Sequence, residues 1–307
     1  TRQPGSAFKP FVYSAALEKG ITPTTLVADE PIFVPADTPG GKDWSPKNYD
    51  GKYDGPMLLK EGLAKSKNMV SIRVLQEITP QYGQRWATQF GFPAANVPPY
   101  LTMALGAVTT NPLQMASAFA VFANSGYRVK PYLIEKITDG SGRIVARARP
   151  AVAGEEANRV IDARNAFLTT RLLREVVERG TATRAKVLNR GDIVGKTGTT
   201  NDSHDAWFAG YNSDISAVAW VGYDQPRNLG ARETGGGLAL PIWIDYMKVA
   251  LADLPEKPQV VPPGIEYIDG NYYYSEYTPG NGVARIDVNG GGDDIPSLFN
   301  FLRGLGG

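Results

Sequence analysis

The spacing of apolar residues along the chain predicts seven helices. In the first, Phe8, Phe11, Val12 and Ala15 recur at helical spacing, and Gly20 follows as a stop signal. This places the N-terminus of the helix at about Ser6. The predicted helices span residues 6–19, 57–65, 69–78, 80–90, 112–123, 163–179 and 238–251.

The pattern changes to β-rich segments over residues 192–200, 205–211 and 215–223, which predicts a three-stranded antiparallel meander. A hairpin is predicted over residues 132–148, around Asp139-Gly140-Ser141-Gly142. Mixed helices and antiparallel strands indicate an α+β fold. We expect one domain over residues 1–254.

Two segments lack a clear period. Residues 21–55 are rich in Pro, Gly, Asp and Thr and predict a long irregular loop. Residues 255–307 begin with a Pro-rich linker and continue as a tail that contains Gly290-Gly291-Gly292. We expect this tail to be loosely ordered, with about two strands.

The amino-acid composition excludes several kinds of functional site. The chain has no cysteine, which excludes disulfides and Cys-ligated metals, and its only histidine, His204, lies in a polar turn. Histidine catalysis and a multi-histidine metal site are therefore not expected, and no cofactor is predicted. Lys and Arg number 32 against 31 Asp and Glu, so nucleic acid is an unexpected partner. No apolar run approaches the roughly 20 residues that a membrane span needs.

Three short motifs, each present once, carry candidate chemistry. They are Ser6-Ala7-Phe8-Lys9, Ser66-Lys67-Asn68 and Lys196-Thr197-Gly198-Thr199. On a helix, Ser6 and Lys9 share one face, so the amine can take the hydroxyl proton. Burial and a second ammonium at Lys196 would both lower the pKa of Lys9 and make it a usable base.

The other motif residues suit the remaining tasks of acyl transfer. Ser66 can carry a proton between the lysines and a leaving nitrogen, and Asn68 can hold a substrate amide. The edge strand from Lys196 through Gly198 to Thr199 can pair with an extended peptide, with Thr197 and Thr199 hydroxyls suited to a carboxylate. The backbone N–H groups of Ser6 and Thr199 are the expected oxyanion donors.

Loop residues Trp44 and Asn48 leave two interpretations open. They either line the mouth of the cleft, where Trp44 would contact substrate, or pack over the helices, which is the favoured role for a loop aromatic. Each motif alone also fits an ordinary helix cap, connector or turn. Their order, uniqueness and surroundings favour a serine acyl-transfer site.

The three motifs in this order resemble those of penicillin-binding proteins and serine β-lactamases. Their flanks resemble the transpeptidase domain of class A, bifunctional penicillin-binding proteins over residues 1–251. These flanks are Arg2-Gln3-Pro4-Gly5-Ser6, the segment from Gly195 to Asn201, the segment from Asp205 to Tyr211, and Gly235-Gly236-Gly237 with the helix after it.

This resemblance implies a penicillin-binding transpeptidase fold: an antiparallel sheet flanked by helices, plus a mostly helical subdomain that carries the Ser-x-Asn motif. It implies a peptidoglycan D,D-transpeptidase that is acylated by β-lactams. The expected partners are stem peptides, a glycosyltransferase domain of the same protein and other cell-wall synthesis proteins. It also implies a location at the extracytoplasmic face of the cytoplasmic membrane, with the anchor and the N-terminal strands of the sheet outside this chain.

Other functions remain open at this stage. A D,D-carboxypeptidase or a β-lactamase would use the same nucleophile, and a non-catalytic β-lactam sensor or scaffold would keep the same motifs. Class A β-lactamases add a Glu-x-x-x-Asn segment that activates water. No such segment occurs in this sequence, which favours a transpeptidase over a hydrolase.

Overall fold

The computed structural model describes residues 1–36, 43–230 and 233–287. Within these residues the helices are α1 (Lys9–Leu17), α2 (Leu59–Ala64), α3 (Asn68–Ile78), α4 (Pro80–Gln89), α5 (Pro112–Ala123), α6 (Ala163–Arg179) and α7 (Leu240–Ala250). The strands are β1 (Ile21–Asp29), β2 (Gly55–Leu58), β3 (Lys136–Thr138), β4 (Ile144–Arg147), β5 (Val194–Thr199), β6 (Asp205–Tyr211), β7 (Ser216–Gly222), β8 (Ile265–Ile268), β9 (Asn271–Tyr274) and β10 (Val283–Ile286).

Helices α5 and α6 begin where their capping side chains predict. Asn111 Oδ1 accepts the backbone N–H of Gln114 at 2.9 Å, and Asp162 Oδ1 accepts that of Arg164 at 2.8 Å. Each cap satisfies a donor that the first turn leaves without a helical partner. Among the described helices, none is both long and apolar enough to cross a bilayer.

Strands β5, β6 and β7 form the predicted antiparallel meander. Lys196 pairs with Ala209, and Trp207 pairs with Trp220. The central strand β6 is buried along its whole length, because α5 and α6 pack on the sheet and Trp243 of α7 contacts Phe208 at 4.9 Å between ring centroids. This sandwich fixes the position of β5, which lies at the edge of the sheet.

Helix α1 runs through the core and is buried at every residue. Phe11 lies within 5.6 Å, between ring centroids, of five other aromatic side chains. These partners are Phe8, Phe90, Phe92, Phe119 and Phe122. Because such a cluster is densely packed, the helix and the turn before it are held in one position.

The expectation of an irregular segment over residues 21–55 was wrong for its first part, which forms the nine-residue strand β1. This strand pairs antiparallel with β2, through Leu26 and Leu58, and parallel with β10, through Leu26 and Arg285. Met57 and Leu58 were predicted to begin a helix. They lie instead at the end of strand β2, because Met57 pairs with Val27 and Leu58 with Leu26 of β1.

The C-terminal segment has more structure than the sequence predicts. It forms three strands, β8, β9 and β10, and Tyr273, Tyr274 and Ile286 are buried. The Tyr273 hydroxyl lies 3.0 Å from Thr24 Oγ1, so the segment packs on β1. The boundary at residue 254 stays a prediction, and Gly290-Gly291-Gly292 lies outside the described residues.

Candidate active site

Ser6 lies on a 3-10 turn, Gly5–Phe8, that leads directly into α1. The turn lies against the edge of β5. Gly5 has a φ of +55°, and a Cβ there would lie 2.5 Å from the carbonyl oxygen of Thr199. A Cβ on Gly198 would lie 2.2 Å from the carbonyl oxygen of Pro4. Glycine at both positions therefore lets the first and third motifs touch through their backbones.

Lys9 is the first residue of α1, and its side chain is fully buried. Its Nζ donates to the carbonyl oxygen of Ser66 at 2.7 Å, to Asn68 Oδ1 at 2.8 Å and to Ser66 Oγ at 3.4 Å. Burial, followed by the charge of Lys196, lowers the pKa of Lys9 well below its usual value, while Asp29 opposes this shift. The Ser6 hydroxyl is not one of the acceptors of this amine.

Lys196 on β5 is also fully buried. Its Nζ donates to Ser66 Oγ at 2.8 Å and to the carbonyl oxygen of Thr197 at 3.1 Å. Burial lowers the pKa of Lys196 to about 7. Two buried amines thus contact one hydroxyl, and neither donates to a carboxylate of the residues that the structure describes.

Ser66 lies in the turn between α2 and α3, with a φ of +58°. This left-handed conformation is unusual for a residue with a Cβ. Asn68, two residues on, directs Oδ1 at Lys9 and donates through Nδ2 to the carbonyl oxygen of Lys47 at 2.7 Å. That second bond fixes which end of the amide faces the lysine.

The outer edge of β5 faces the same cleft. Thr200 donates its backbone N–H to Asp205 on β6, so the N–H of Thr199 points away from β6 and toward the turn that carries Ser6. Thr197 Oγ1 lies 2.6 Å from Thr181 Oγ1, and Thr199 Oγ1 accepts the N–H of Gly235 at 3.1 Å. Both threonine hydroxyls are therefore held in fixed orientations.

The cleft has a volume of about 980 Å³. Of the residues predicted from the sequence, those that line it are Ser6, Trp44, Ser66, Asn68, Thr197 and Thr199. Lys9 and Lys196 lie beneath this surface, in contact with Ser66. The fold therefore brings the three motifs to one place.

Asn48 and Thr181 also line the cleft, and the sequence analysis did not single out Thr181. Asn48 is buried, and its Oδ1 accepts the backbone N–H of Asn68 at 2.7 Å. Trp44 is half-buried and forms a two-way backbone bridge with Val34. The position of Asn48 in a Pro- and Asp-rich loop is typical of a turn residue. Its contact with Asn68 could not be predicted, because that contact depends on how the loop packs against α3.

The three motifs meet in one cleft of an α+β fold, and comparison with known proteins identifies the family of the chain. The profile of the penicillin binding protein transpeptidase domain matches residues 1–247. The chain therefore belongs to the penicillin-binding protein transpeptidase family.

Individual relatives agree with this family. Penicillin-binding protein 1A of Neisseria lactamica is 47% identical over 96% of this chain and 37% of the relative. The crystal structure of penicillin-binding protein 1A from Haemophilus influenzae matches with a TM-score of 0.84 and 36% identity, over 92% of this chain and 48% of that one.

A third match is PonA1 from Mycobacterium tuberculosis in complex with penicillin V. It has a TM-score of 0.71 and 27% identity, over 92% of this chain and 74% of that one. The chain spans a little over a third of the length of the curated relatives that it matches.

Proposed function

We propose that this chain carries the peptidoglycan D,D-transpeptidase activity of its family, through an acyl-enzyme at Ser6. One observation carries the proposal: Ser66 Oγ lies between two buried amines, at 2.8 Å from Lys196 Nζ and 3.4 Å from Lys9 Nζ, in the cleft that Ser6 lines. Burial without a carboxylate partner lowers the pKa of an amine, and a neutral amine can act as a base.

In the first step, neutral Lys9 takes the proton of the Ser6 hydroxyl while the oxygen attacks the carbonyl carbon of the penultimate D-Ala. The new oxyanion is held by the backbone N–H groups of Ser6 and Thr199. The C–N bond then breaks, and Ser66 passes a proton, supplied by a lysine ammonium, to the nitrogen of the departing D-alanine. In the second step the amine of another stem peptide attacks the ester carbon. A C–N bond forms, the bond from that carbon to Ser6 Oγ breaks, and the proton that the amine loses returns to Ser6 through a lysine.

The same walls suit a peptide with a terminal carboxylate. The free edge of β5 from Lys196 through Gly198 offers backbone groups to an extended stem, and Asn68 offers its amide. The hydroxyls of Thr197 and Thr199 lie where they can donate to the carboxylate of D-Ala. Trp44 supplies an aromatic surface at the same cleft.

A β-lactam presents a strained amide to Ser6 in place of the D-Ala-D-Ala bond. Opening of the ring leaves the amine part attached, so no leaving group departs to make room for an acceptor. The adduct should therefore persist, and the site should act as a penicillin target.

The family match supports a proposal for the domain bounds, location and partners of the protein. We propose that residues 1–254 form the catalytic domain and that the protein acts at the extracytoplasmic face of the cytoplasmic membrane. There it would work beside a glycosyltransferase domain and other cell-wall synthesis proteins. Support for this comes from the family match and from the relatives, which are much longer than the chain.

Intact-mass spectrometry after treatment with benzylpenicillin tests the acylation. One adduct is expected on the wild type and none on Ser6→Ala. Ser203→Ala is the control, because Ser203 lines the same cleft without a motif lysine beside it. An adduct on Ser6→Ala would overturn the assignment. Release of D-alanine from a stem pentapeptide, with and without an acceptor amine, then separates transpeptidation from hydrolysis.

A further inference from the structure

The loop over residues 43–54 caps helix α3 from outside the helix. The residue before α3, Lys67, provides no side-chain cap. Asn48 Oδ1 accepts the backbone N–H groups of Asn68 at 2.7 Å and of Met69 at 3.3 Å. Since the first N–H groups of a helix lack helical partners, Asn48 performs the role of the missing cap. The start of α3, and with it Asn68, is therefore fixed by this loop.

Asn48 is itself held by a buried carboxylate at the end of β1. Its Nδ2 donates to Asp29 Oδ1 and to the carbonyl oxygen of Lys52, both at 2.7 Å. Asp29 is fully buried, and its Oδ2 accepts the N–H of Asp54 at 2.9 Å. The same oxygen lies 3.3 Å from Lys67 Nζ. Asp29 thus joins β1, the middle and the C-terminal end of the loop, and the second motif.

This network surrounds the turn at Ser66, whose backbone conformation is unfavourable without neighbouring contacts. Ser66 has a φ of +58°, which costs free energy for a residue with a Cβ and persists only where neighbouring contacts impose it. In that conformation its carbonyl oxygen accepts from Lys9 and its Oγ accepts from Lys196. The side chain of Lys67, the next residue, is only 4% exposed and is fixed by its pair with Asp29.

We propose, on the basis of the proposed function, that Asp29, Asn48 and Lys67 are positioning residues for acylation. They hold Ser66 and Asn68 against the two lysines, and the carboxylate of Asp29 adds a negative charge to the surroundings of Lys9. None of the three touches the substrate in this role. They act through the turn that they fix.

The electrostatic part has a defined sign. Among the described residues, the charged and titratable side chains around Lys9 and Asp29 are Lys196 on β5, Lys67 before α3, Arg73 on α3, Tyr13 on α1, and Asp50 and Asp54 of the loop. Burial and Lys196 lower the pKa of Lys9, and Asp29 opposes them. Removal of the Asp29 charge therefore lowers the pKa of Lys9 further. The acidic limb of the acylation rate should move to lower pH, which a loss of packing alone does not produce.

The first test measures the rate of acylation by a fluorescent penicillin between pH 5 and 10, on the purified protein. Asp29→Asn should acylate about tenfold more slowly at the plateau, because the turn is less well held, and its acidic limb should lie at lower pH. Asp192→Asn is the control. The side chain of Asp192 is 3% exposed and pairs with Arg190 at 2.7 Å, but its charge does not shift the pKa of Lys9.

The outcomes separate the two proposals. If the wild type is not acylated at all, the proposed function fails. If the wild type is acylated and Asp29→Asn keeps the wild-type acidic limb, or shifts it as Asp192→Asn does, the positioning proposal alone is overturned.

A second variant decides the matter if Asp29→Asn does not fold. Asn48→Ala removes the acceptor at the start of α3 from an irregular loop. Its acylation rate constant should fall about tenfold, while the affinity of the initial non-covalent complex stays unchanged. Asn111→Ala, which removes the cap of α5, is the matched control and should leave both constants unchanged. Acylation of Asn48→Ala at the wild-type rate would overturn the proposal.

Discussion

Two buried lysine environments lie side by side in this protein, and they differ in their partners. Lys67, with a side chain 4% exposed, faces the carboxylates of Asp29, Asp50 and Asp54 at 3.2–3.3 Å. Lys9 and Lys196 are fully buried, and within the described part of the chain they donate only to uncharged oxygens. Burial is common to all three, so it cannot by itself distinguish a structural lysine from a candidate base.

The pKa values follow the partners. For Lys67, burial acts to lower the pKa, but the hydrogen bonds and charges of Asp50, Asp29 and Asp54 outweigh it, and the pKa is raised. For Lys196, burial acts without such partners and lowers the pKa to about 7. The absence of a direct carboxylate partner thus converts a buried lysine into a group that can accept a proton near neutral pH.

The largest expected effect comes from removing the base. Lys9→Arg should reduce the acylation rate by about 10³-fold, because a guanidinium stays protonated at any working pH. Stopped-flow or gel measurement with a fluorescent penicillin gives the rate. Lys65→Arg, on the exposed rim of the cleft, is the control and should acylate normally. Normal acylation by Lys9→Arg would place the proton acceptor elsewhere.

Replacement of the structural lysine tests the other side of the comparison. Lys67→Met should lower the free energy of unfolding by about 3 kcal/mol, because the buried carboxylate of Asp29 loses its cation. Denaturation with urea at pH 7 measures this. Lys65→Met removes an exposed pair with Asp54 and should change stability by less than about 1 kcal/mol. Equal losses in the two variants would contradict the distinction.

Replacement of Lys196 by methionine should change the free energy of unfolding in the opposite direction. Lys196→Met should abolish useful acylation yet raise the free energy of unfolding at pH 7 by about 2 kcal/mol, after the loss of its two hydrogen bonds. The pKa of Lys196 is lower in the folded protein than in the unfolded chain, so between pH 7 and about 10.5 the unfolded chain binds more protons. The wild type therefore gains stability as pH rises, and the advantage of Lys196→Met should shrink. A destabilised Lys196→Met would contradict this account.

The sequence predicts the parts of this comparison that depend on local signals. The bounds of α5 and α6 follow from Asn111 and Asp162, whose caps act within three residues. Strands β5 to β7 follow from β-rich segments that are separated by short polar turns. Strand β1 was missed because its Thr- and Pro-rich sequence looks irregular and its partner β10 lies about 260 residues away.

Some residues of the candidate site could be predicted from the sequence, and others could not. Motif chemistry singled out Lys9, Ser66 and Lys196, which the fold brings into contact. It could not identify Asp29 or Thr181, because neither stands in a motif and each reaches the site only through tertiary packing. Sequence spacing also placed Lys9 beside Ser6, whereas its hydrogen bonds go to Ser66 and Asn68.

The smallest effect is predicted for a substitution that gives Lys9 a carboxylate partner, as Lys67 has. Asn68→Asp places a carboxylate where Asn68 Oδ1 now accepts from Lys9 at 2.8 Å. A negative charge at this distance should raise the pKa of Lys9, as the aspartates raise the pKa of Lys67. Lys9 would then keep its proton at pH 7, and acylation should fall at least about tenfold there.

The pH profile distinguishes this cause from simple damage to the site. Acylation by Asn68→Asp should recover as pH rises, because Lys9 still loses its proton, only at higher pH. Asn68→Ala is the matched control: it removes the hydrogen bonds to Lys9 and Lys47 without adding a charge, so its rate should be low at every pH. If the acidic limb of Asn68→Asp stays at the wild-type pH, a nearby carboxylate does not decide which buried lysine acts as a base, and the distinction between Lys67 and Lys9 needs another cause.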